Sequence, residues 1–416
     1  MNLLVVDSVD FPFGGAHSAH VSLLMQGLRK SAGIGFLVIP YGRKREALSA
    51  AKKKYGHFES IPYFFVRDSK EIKKGFRFLD NFIAVIKTAV LIYKRKKQKK
   101  LDAVILGGIV DFIRDLPIII SCTLFRIPIY FWLVEKASLN EDYRGIPGYF
   151  NYKSQQLSEK ILPKISSGVI VISESLKKHY LRYLPESKIL ISPILVSEES
   201  YKSVSRQSFE TVKEKIKKSL EGKRLLVYSG SFGEKDGIFY LIDAFAEVVK
   251  KYPDTVFVMT GKSYDAVLMD RITSSIKNHE LDDKIRLVGF VNSDELLCYN
   301  TMADILFVCR SNSPYANHGF PWKLGEYCMT GKPIIATRVS DIETYFTDNE
   351  TLFIVEPNSP KAIEEKVDSI FSNYDKALEV AKKSRETAIK CFGNIEKAKE
   401  IIEFVERNNP VKKEDK

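Results

Sequence analysis

Residues 311–337 read SNSPYANHGFPWKLGEYCMTGKPIIAT, and how this stretch is parsed decides the fold. It starts as a polar loop punctuated by Gly and Pro, continues as a short helix from Trp322, and returns as a buried strand, Pro333 to Thr337. A loop that ends at a helix N-terminus presents unpaired backbone N–H groups, which attract anions such as phosphate. Pro321 falls at the first helical turn, where its missing N–H costs nothing. The apolar Trp322, Leu324, Tyr327, Cys328 and Met329 share this helix with Lys323 and Glu326, which are three residues apart and so neighbours on one face. Two readings stay open. The pair could grip a nucleotide, lysine on the diphosphate and glutamate on the ribose diol, or it could be an i,i+3 surface ion pair.

Outward from this stretch, 416 residues are too many for one ordinary core and suggest two α/β domains. With 45% hydrophobic and 28% charged residues the composition is that of a globular chain, not a disordered one. The net charge of +12 points to nucleic acid, an anionic membrane surface or anionic substrates. No motif that reads RNA or DNA is present, so nucleic acid is set aside. Cys122, Cys298, Cys309, Cys328 and Cys391 lie far apart, mostly in apolar runs, without metal spacing, as buried thiols of a reducing compartment would. The chain enters a strand at Leu3 with no basic leader, so a cytoplasmic location is expected. The apolar run 116–134 is divided by Arg126 and Pro128 and parses as a helix end followed by a buried strand rather than a membrane span.

Along the chain, apolar strands alternate with helical patterns, which predicts parallel sheets covered on both faces. Leu3–Val6 leads through "FPFGGAHSAH" into a helix over 16–30, and the diglycine Gly14–Gly15 can approach a phosphate or sugar closely. Ligands of such sheets lie at the carboxyl ends of the strands. That rule singles out Gly14, Gly15, the Gly107–Gly108 turn, and Glu135, which either meets a ligand or is merely solvated at a strand end. His17 and His20 are three apart on one helix face but have no third ligand in sight, so no metal is assigned. A helix over 78–100 ends in "YKRKKQKK", which suits its own dipole and also suits peripheral contact with an anionic membrane, here the inner face of the plasma membrane. Residues 198–222, poor in large apolar side chains, read as an interdomain linker between 1–197 and 223–393. The second half restarts with a strand and "SGSFGEKDG", a Gly-rich anion loop with Gly230, Gly233 and Gly237 before a helix over 238–251. A last helix, 394–408, crosses back to the first domain, and the tail beyond it is read as disordered.

The opening stretch resembles the donor-binding signature of retaining GT-B glycosyltransferases of the GT4 type (glycosyltransferase group 1), in a subgroup with "GFPxKLxEY". In that signature two glutamates stand eight positions apart before "GxPVVA". Glu326 falls on the second and His318 on the first. The loop 230–237 resembles a "GSxxEKDG" variant of the family's "GRxxxxKG", with Ser231 at the arginine position and Asp236 at the lysine position. The resemblance covers most of the chain and is strongest over 225–355. It implies a GT-B architecture, two Rossmann-like doubly wound domains facing across a cleft, and a metal-independent hexosyltransferase without cofactor. Such an enzyme moves a sugar from a nucleotide-diphosphate sugar to a glycan or lipid-linked acceptor in bacterial surface polysaccharide synthesis. In this reading Lys323, Lys235 and Glu135 are the catalytic set. Gly14, Gly15, Gly230, Ser231, Asn317, His318, Gly319, Phe320, Pro321 and Glu326 bind the donor. The alternative, prompted by the altered signature positions, is a catalytically inactive nucleotide-sugar-binding scaffold subunit of a polysaccharide synthase.

Overall fold

The computed structural model describes residues 1–12, 15–31, 34–40, 55–67, 77–108, 110–136, 139, 145–202, 206–220 and 222–409. The chain divides into two units, Met1–Leu195 with Gly393–Lys416, and Val196–Phe392. The first carries strands β1 (Asn2–Val6), β2 (Ile34–Ile39), β3 (Tyr55–Phe58), β4 (Ile61–Phe65), β5 (Ala103–Gly107), β6 (Ile129–Leu133), β7 (Gly168–Val171) and β8 (Ile189–Ile191). They lie in the order β3-β4-β2-β1-β5-β6-β7-β8. Every neighbouring pair is parallel except the hairpin β3–β4. Helices α1 (Ala16–Lys30), α2 (Arg77–Lys97), α3 (Phe112–Leu124), α4 (Gly145–Ile165) and α5 (Glu174–Tyr180) join them. The chain runs one way across the sheet from β1 to β2 and the other way from β5 to β7. Right-handed crossovers therefore place α1 on one face and α3 and α4 on the opposite one. With both faces covered, β5 and β6 are buried along their whole length.

The second unit has β9 (Arg224–Ser229), β10 (Thr255–Thr260), β11 (Ile285–Gly289), β12 (Ile305–Val308), β13 (Ile334–Thr337) and β14 (Phe353–Val355), with helices α6 (Glu198–Lys202), α7 (Arg206–Ser219), α8 (Ile238–Lys251), α9 (Ala266–Asn278), α10 (Ser293–Met302), α11 (Pro314–His318), α12 (Trp322–Thr330), α13 (Ile342–Tyr345), α14 (Pro360–Ser372) and α15 (Tyr374–Phe392). Its sheet is wholly parallel in the order β11-β10-β9-β12-β13-β14. The direction of winding reverses between β9 and β12, as it does between β1 and β5 in the first unit. Crevices at such reversals, outside the carboxyl ends of the strands, are where doubly wound sheets hold ligands.

The expected linker is different. Residues 198–202 and 206–219 are helical, and α7 packs against α10 as part of the second unit. Its sparse apolar residues Val212, Ile216 and Leu220 recur at helical spacing, and Ile216 and Leu220 are buried.

The last helix, α16 (Asn394–Arg407), belongs to the first unit and packs on α1. Tyr130 OH donates to the Val405 carbonyl at 2.9 Å, and the Phe404 ring is 1% exposed against Tyr130. Truncating such a ring to alanine typically costs about 3–5 kcal/mol, so α16 is a structural part of this core. Asn408, the C-cap of α16, donates to the Ser187 carbonyl at 3.0 Å. Residues 410–416 lie outside the described residues.

Candidate active site

In the second unit the chain leaves β9 through Ser229 and Gly230 and leaves β12 through Cys309 and Arg310, so two loops meet at the winding reversal. The loop after β9 is held by Tyr228 of β9 and Tyr327 of α12. Tyr228 OH donates to the Ser231 carbonyl at 2.6 Å, and Ser229 N–H donates to the hydroxyl of Tyr327 at 2.8 Å. Gly237 has φ +66, and a Cβ there would stand 2.0 Å from the Cys309 carbonyl oxygen. Only glycine lets the start of α8 lie this close to the exit of β12.

Asp236, 5% exposed, lies at the heart of the loop. Its Oδ2 accepts from Ser231 Oγ at 2.9 Å and from Gly233 N at 3.1 Å. Burial alone would raise this carboxyl. The positive charges of Lys323, Arg310 and Lys235, with the Ser231 hydrogen bond, outweigh burial and hold it below the usual carboxylate range.

Lys323 comes from the first turn of α12. Its Nζ lies 3.8 Å from Asp236 Oδ1 and 3.9 Å from the centroid of the Tyr228 ring. Gly230, at φ +147, makes room for it, since a Cβ there would meet Nζ at 2.6 Å. Burial lowers this ammonium to about 8. Asp236 opposes the shift, and the neighbouring Arg310 and Lys235 charges add to it. Glu326, on the same helix, keeps an exposed side chain. Surrounding protein pushes its carboxyl up, to about 7, against the pull of Lys323. Solvent at an exposed carboxylate weakens such a push, so only its upward direction bears on the chemistry. Lys323 thus pairs with Asp236, and the i,i+3 surface pair with Glu326 is not the arrangement found.

Lys235 Nζ lies 4.1 Å from the centroid of the Tyr315 ring, a cation–π contact that joins the β9 loop to the loop after β12. The stretch 311–321, read as loop, contains α11, whose first turn Ser313 caps through a 3.2 Å bond from Ala316 N. Asn317 holds this segment against a neighbouring turn, its Oδ1 accepting from Ser340 N at 3.2 Å, and Ser340 Oγ donates to the Gly319 carbonyl. His318 Nδ1 faces the Pro314 carbonyl at 2.8 Å. Phe320 departs from its expected role. It is 2% exposed, with its ring 5.7 Å from both Tyr345 and Phe392. Its side chain is core and cannot touch a sugar. Pro321 is likewise buried, as the N-cap of α12 rather than its first helical residue.

Arg310 was not anticipated. It is 9% exposed, and its Nη1 donates to the Ala316 carbonyl at 3.1 Å. A lone arginine at the end of the apolar run "ADILFVCRS" carries no motif. Its signal was position, just beyond the strand at which the winding reverses.

In the first unit Glu135 is half-buried beyond β6, and Gly15 is exposed as the N-cap of α1. Gly15 has φ −77 and open space where a Cβ would be, so neither backbone nor packing demands glycine there. Gly14 lies outside the described residues. His17 faces Asp7, its Nε2 at 3.0 and 3.1 Å from the two carboxylate oxygens, while its Nδ1 is closed off from solvent. This arrangement braces the loop rather than exposing a base. His20 is buried against Trp132, ring centroids 4.6 Å apart, and burial holds its pKa well below the ordinary value. Among the described residues no three His, Cys, Asp or Glu side chains gather as metal ligands. A pocket of about 450 Å³ on the second unit is lined by Phe239, Asp270, Arg271 and His279, away from these groups.

The second unit therefore presents three cations and one buried carboxylate where a doubly wound sheet binds its ligand, with a second carboxylate on the helix that carries the lysine. That balance suits a diphosphate with a polyol beyond it. The two doubly wound units have the GT-B architecture. The Anabaena protein Alr3699/HepE, solved in complex with UDP and glucose, superposes at a TM-score of 0.73 and 13% identity over 98% of this chain and 100% of that one. Residues 210–387 match the family model for glycosyl transferases group 1. The 2-deoxystreptamine N-acetyl-D-glucosaminyltransferase of Niallia circulans is 23% identical over 55% of this chain and 56% of its own length. The capsular polysaccharide biosynthesis glycosyltransferase CapM of Staphylococcus aureus is 26% identical over 54% and 57%. The match thus spans little more than half the length of these relatives.

Proposed function

We propose that this protein is a retaining glycosyltransferase that moves a sugar from a nucleotide-diphosphate sugar to a glycan or lipid-linked acceptor in bacterial surface polysaccharide assembly. The observation that carries the reading is the convergence of Lys323, Arg310 and Lys235 on the loop 230–237 at the β9/β12 reversal. Glu326, three residues from Lys323 on α12, would take the ribose hydroxyls. When the bond between sugar and diphosphate breaks, negative charge builds on the leaving phosphate. Preorganised positive groups stabilise that charge by about 2.7–4 kcal/mol each in comparable sites. The three cations need no metal to do this, so activity should survive a chelator. The loop 315–319 would meet the sugar through its backbone and through His318, which stands where the family signature has its first glutamate. The binding of UDP and glucose by the Anabaena protein supports a nucleotide-sugar donor. The names of the Niallia and Staphylococcus relatives support transfer to a glycan.

A thermal-shift screen against UDP-, GDP-, ADP- and TDP-linked sugars tests the site, because a ligand bound only by the folded state raises the melting midpoint. One nucleotide should raise it, and Glu326→Ala should abolish the shift. Slow donor hydrolysis without acceptor should accompany binding, and the anomeric configuration of the product, read by NMR, tests retention. A shift without any hydrolysis or transfer would favour a catalytically inactive scaffold subunit instead.

A further inference from the structure

Helices α2, α3 and α4 cover one face of the first sheet, and each has an apolar stripe where a solvent-facing side should be polar. On α2 the inward Ala84, Val85, Thr88 and Ile92 are buried, yet Phe82, Ile86 and Val90 on the outward side are also apolar and exposed. On α3 the outward residues Ile113, Ile120 and Leu124 follow helical spacing, and Leu124 is 70% exposed. α4 adds Tyr149 and Phe150, the latter 66% exposed. Twelve of the twenty large hydrophobic side chains exposed among the described residues lie on these three helices. Scattered exposed hydrophobics are ordinary, but a concentration of this kind marks a surface that meets something.

The stripes form one surface. The rings of Tyr93 on α2 and Phe125 just past α3 are 4.5 Å apart, and Ser121 Oγ donates to the Ala89 carbonyl at 3.2 Å. The start of α3 is tied to α4 by a 2.8 Å bond from Phe112 N to Ser158 Oγ. Charge is segregated beside the apolar area. Lys94, Lys97, Lys99, Lys100 and Arg126 are exposed at the end that carries Leu124 and Phe125, whereas Arg95 folds inward over the Phe36 ring at 3.9 Å. The nearby acids are already engaged: Asp102 accepts from Asn2 N, Asp111 caps α3, and Asp115 pairs with Arg114.

We propose that the outward face of α2, α3 and α4 docks on an anionic phospholipid surface. The apolar stripes enter the boundary of the acyl chains, and the lysines lie among the phosphates. No helix among the described residues is long and apolar enough to cross a membrane, so the chain would lie on the bilayer through this face. Charge decides between a bilayer and a second copy. A self-paired face would bring two lysine clusters together, whereas anionic headgroups neutralise one. This inference goes beyond sugar transfer and does not depend on it.

Flotation of the full-length protein with vesicles tests the proposal. Binding to phosphatidylcholine vesicles containing about 30% phosphatidylglycerol should exceed binding to phosphatidylcholine alone by about tenfold or more, and should weaken as salt is raised. The double variants Ile120→Asp with Leu124→Asp, and Lys94→Glu with Lys97→Glu, should each lose about tenfold while melting like the parent, since these side chains are exposed. Tyr264→Asp, at an exposed position on the second unit, should bind as the parent does. Lys323→Ala should also float normally, which separates this surface from the donor site. Absence of vesicle binding by the parent would overturn the proposal, as would binding that both double variants retain. A parent that is dimeric and becomes monomeric in Ile120→Asp/Leu124→Asp would assign the face to a second copy instead.

Discussion

Lys323 Nζ and Asp236 Oδ1 stand 3.8 Å apart although 87 residues separate them, and only one of the two was legible as a site residue. The distance is long for a hydrogen bond, so the pair holds the ammonium electrostatically without saturating it. Its N–H donors stay available for an incoming anion. The carboxylate is needed because Arg310 and Lys235 crowd the same place, and three cations without a counter-charge would repel one another.

Lys323→Ala should lower kcat/KM by about 100- to 1,000-fold, the range for removing one preorganised transition-state donor. Melting should be nearly unchanged, because an ammonium depressed by burial is not itself a stabilising group. Steady-state kinetics beside a thermal melt checks both halves, and unchanged turnover would remove the lysine from the mechanism.

Asp236→Ala should destabilise the free protein by about 3 kcal/mol, as removal of one partner of a buried ionic cluster generally does. The loss should shrink when a donor is present, since a bound diphosphate replaces the missing negative charge. Melting curves with and without nucleotide read the difference. Equal destabilisation in both would mean that Asp236 serves only to cap the turn at Gly233.

The pH profile has a sign at each end. Burial depresses Lys323 to about 8, so the free protein loses this charge as pH rises through about 8, and kcat/KM should fall there. Saturating donor should push that limb higher, because a bound diphosphate favours the ammonium. Glu326 is raised, so it takes up a proton at higher pH than an ordinary carboxylate and ceases to accept from the ribose. The acid limb should therefore be absent in Glu326→Gln. For stability the Lys323 shift is one contribution among several, since burial raises the Cys122 and Cys328 thiols and these act with the opposite sign at high pH. The folded pKa of Lys323 lies below its unfolded value, so its own contribution to stability should rise between about pH 8 and the ordinary lysine range, and the difference between parent and Lys323→Met should show that rise.

Much of the architecture was written in local periodicity. The helices over 16–30 and 238–251 follow from apolar residues at helical spacing, and the apolar run 116–134 resolves at Arg126 and Pro128 into α3 and β6. The site was legible where one helix carries it, since Lys323 and Glu326 are neighbours by spacing alone. What was not legible depends on chain segments that meet only in the fold. Asp236 aligns with a lysine in the resembling family and gave no hint that its partner is Lys323. Phe320 looked like a loop residue beside a glycine, and only the rings of Tyr345 and Phe392 make it core. α7 was read as linker because its exposed face is so rich in lysine and glutamate that two buried residues, Ile216 and Leu220, were outweighed.

Arg310 offers the test that separates charge from geometry. It sits just past β12, is 9% exposed, and donates through Nη1 to the Ala316 carbonyl, so it both adds a cation and fixes α11 beside Gly319. Arg310→Ala leaves that carbonyl short of a donor and should cost about 1–3 kcal/mol in stability. Arg310→Lys keeps the charge but not the fork that reaches Ala316. If charge is what matters, the lysine variant should bind the nucleoside diphosphate as the parent does, and the alanine variant should bind it about tenfold more weakly, a difference of about 1.4 kcal/mol. If the hold on α11 matters, both variants should bind the nucleoside diphosphate alike but lose preference for the intact nucleotide sugar, and kcat should fall in both. Calorimetric titration with the nucleoside diphosphate and with the nucleotide sugar distinguishes the two. Parent-like affinity and kcat in both variants would reduce Arg310 to a buried brace with no part in the donor site.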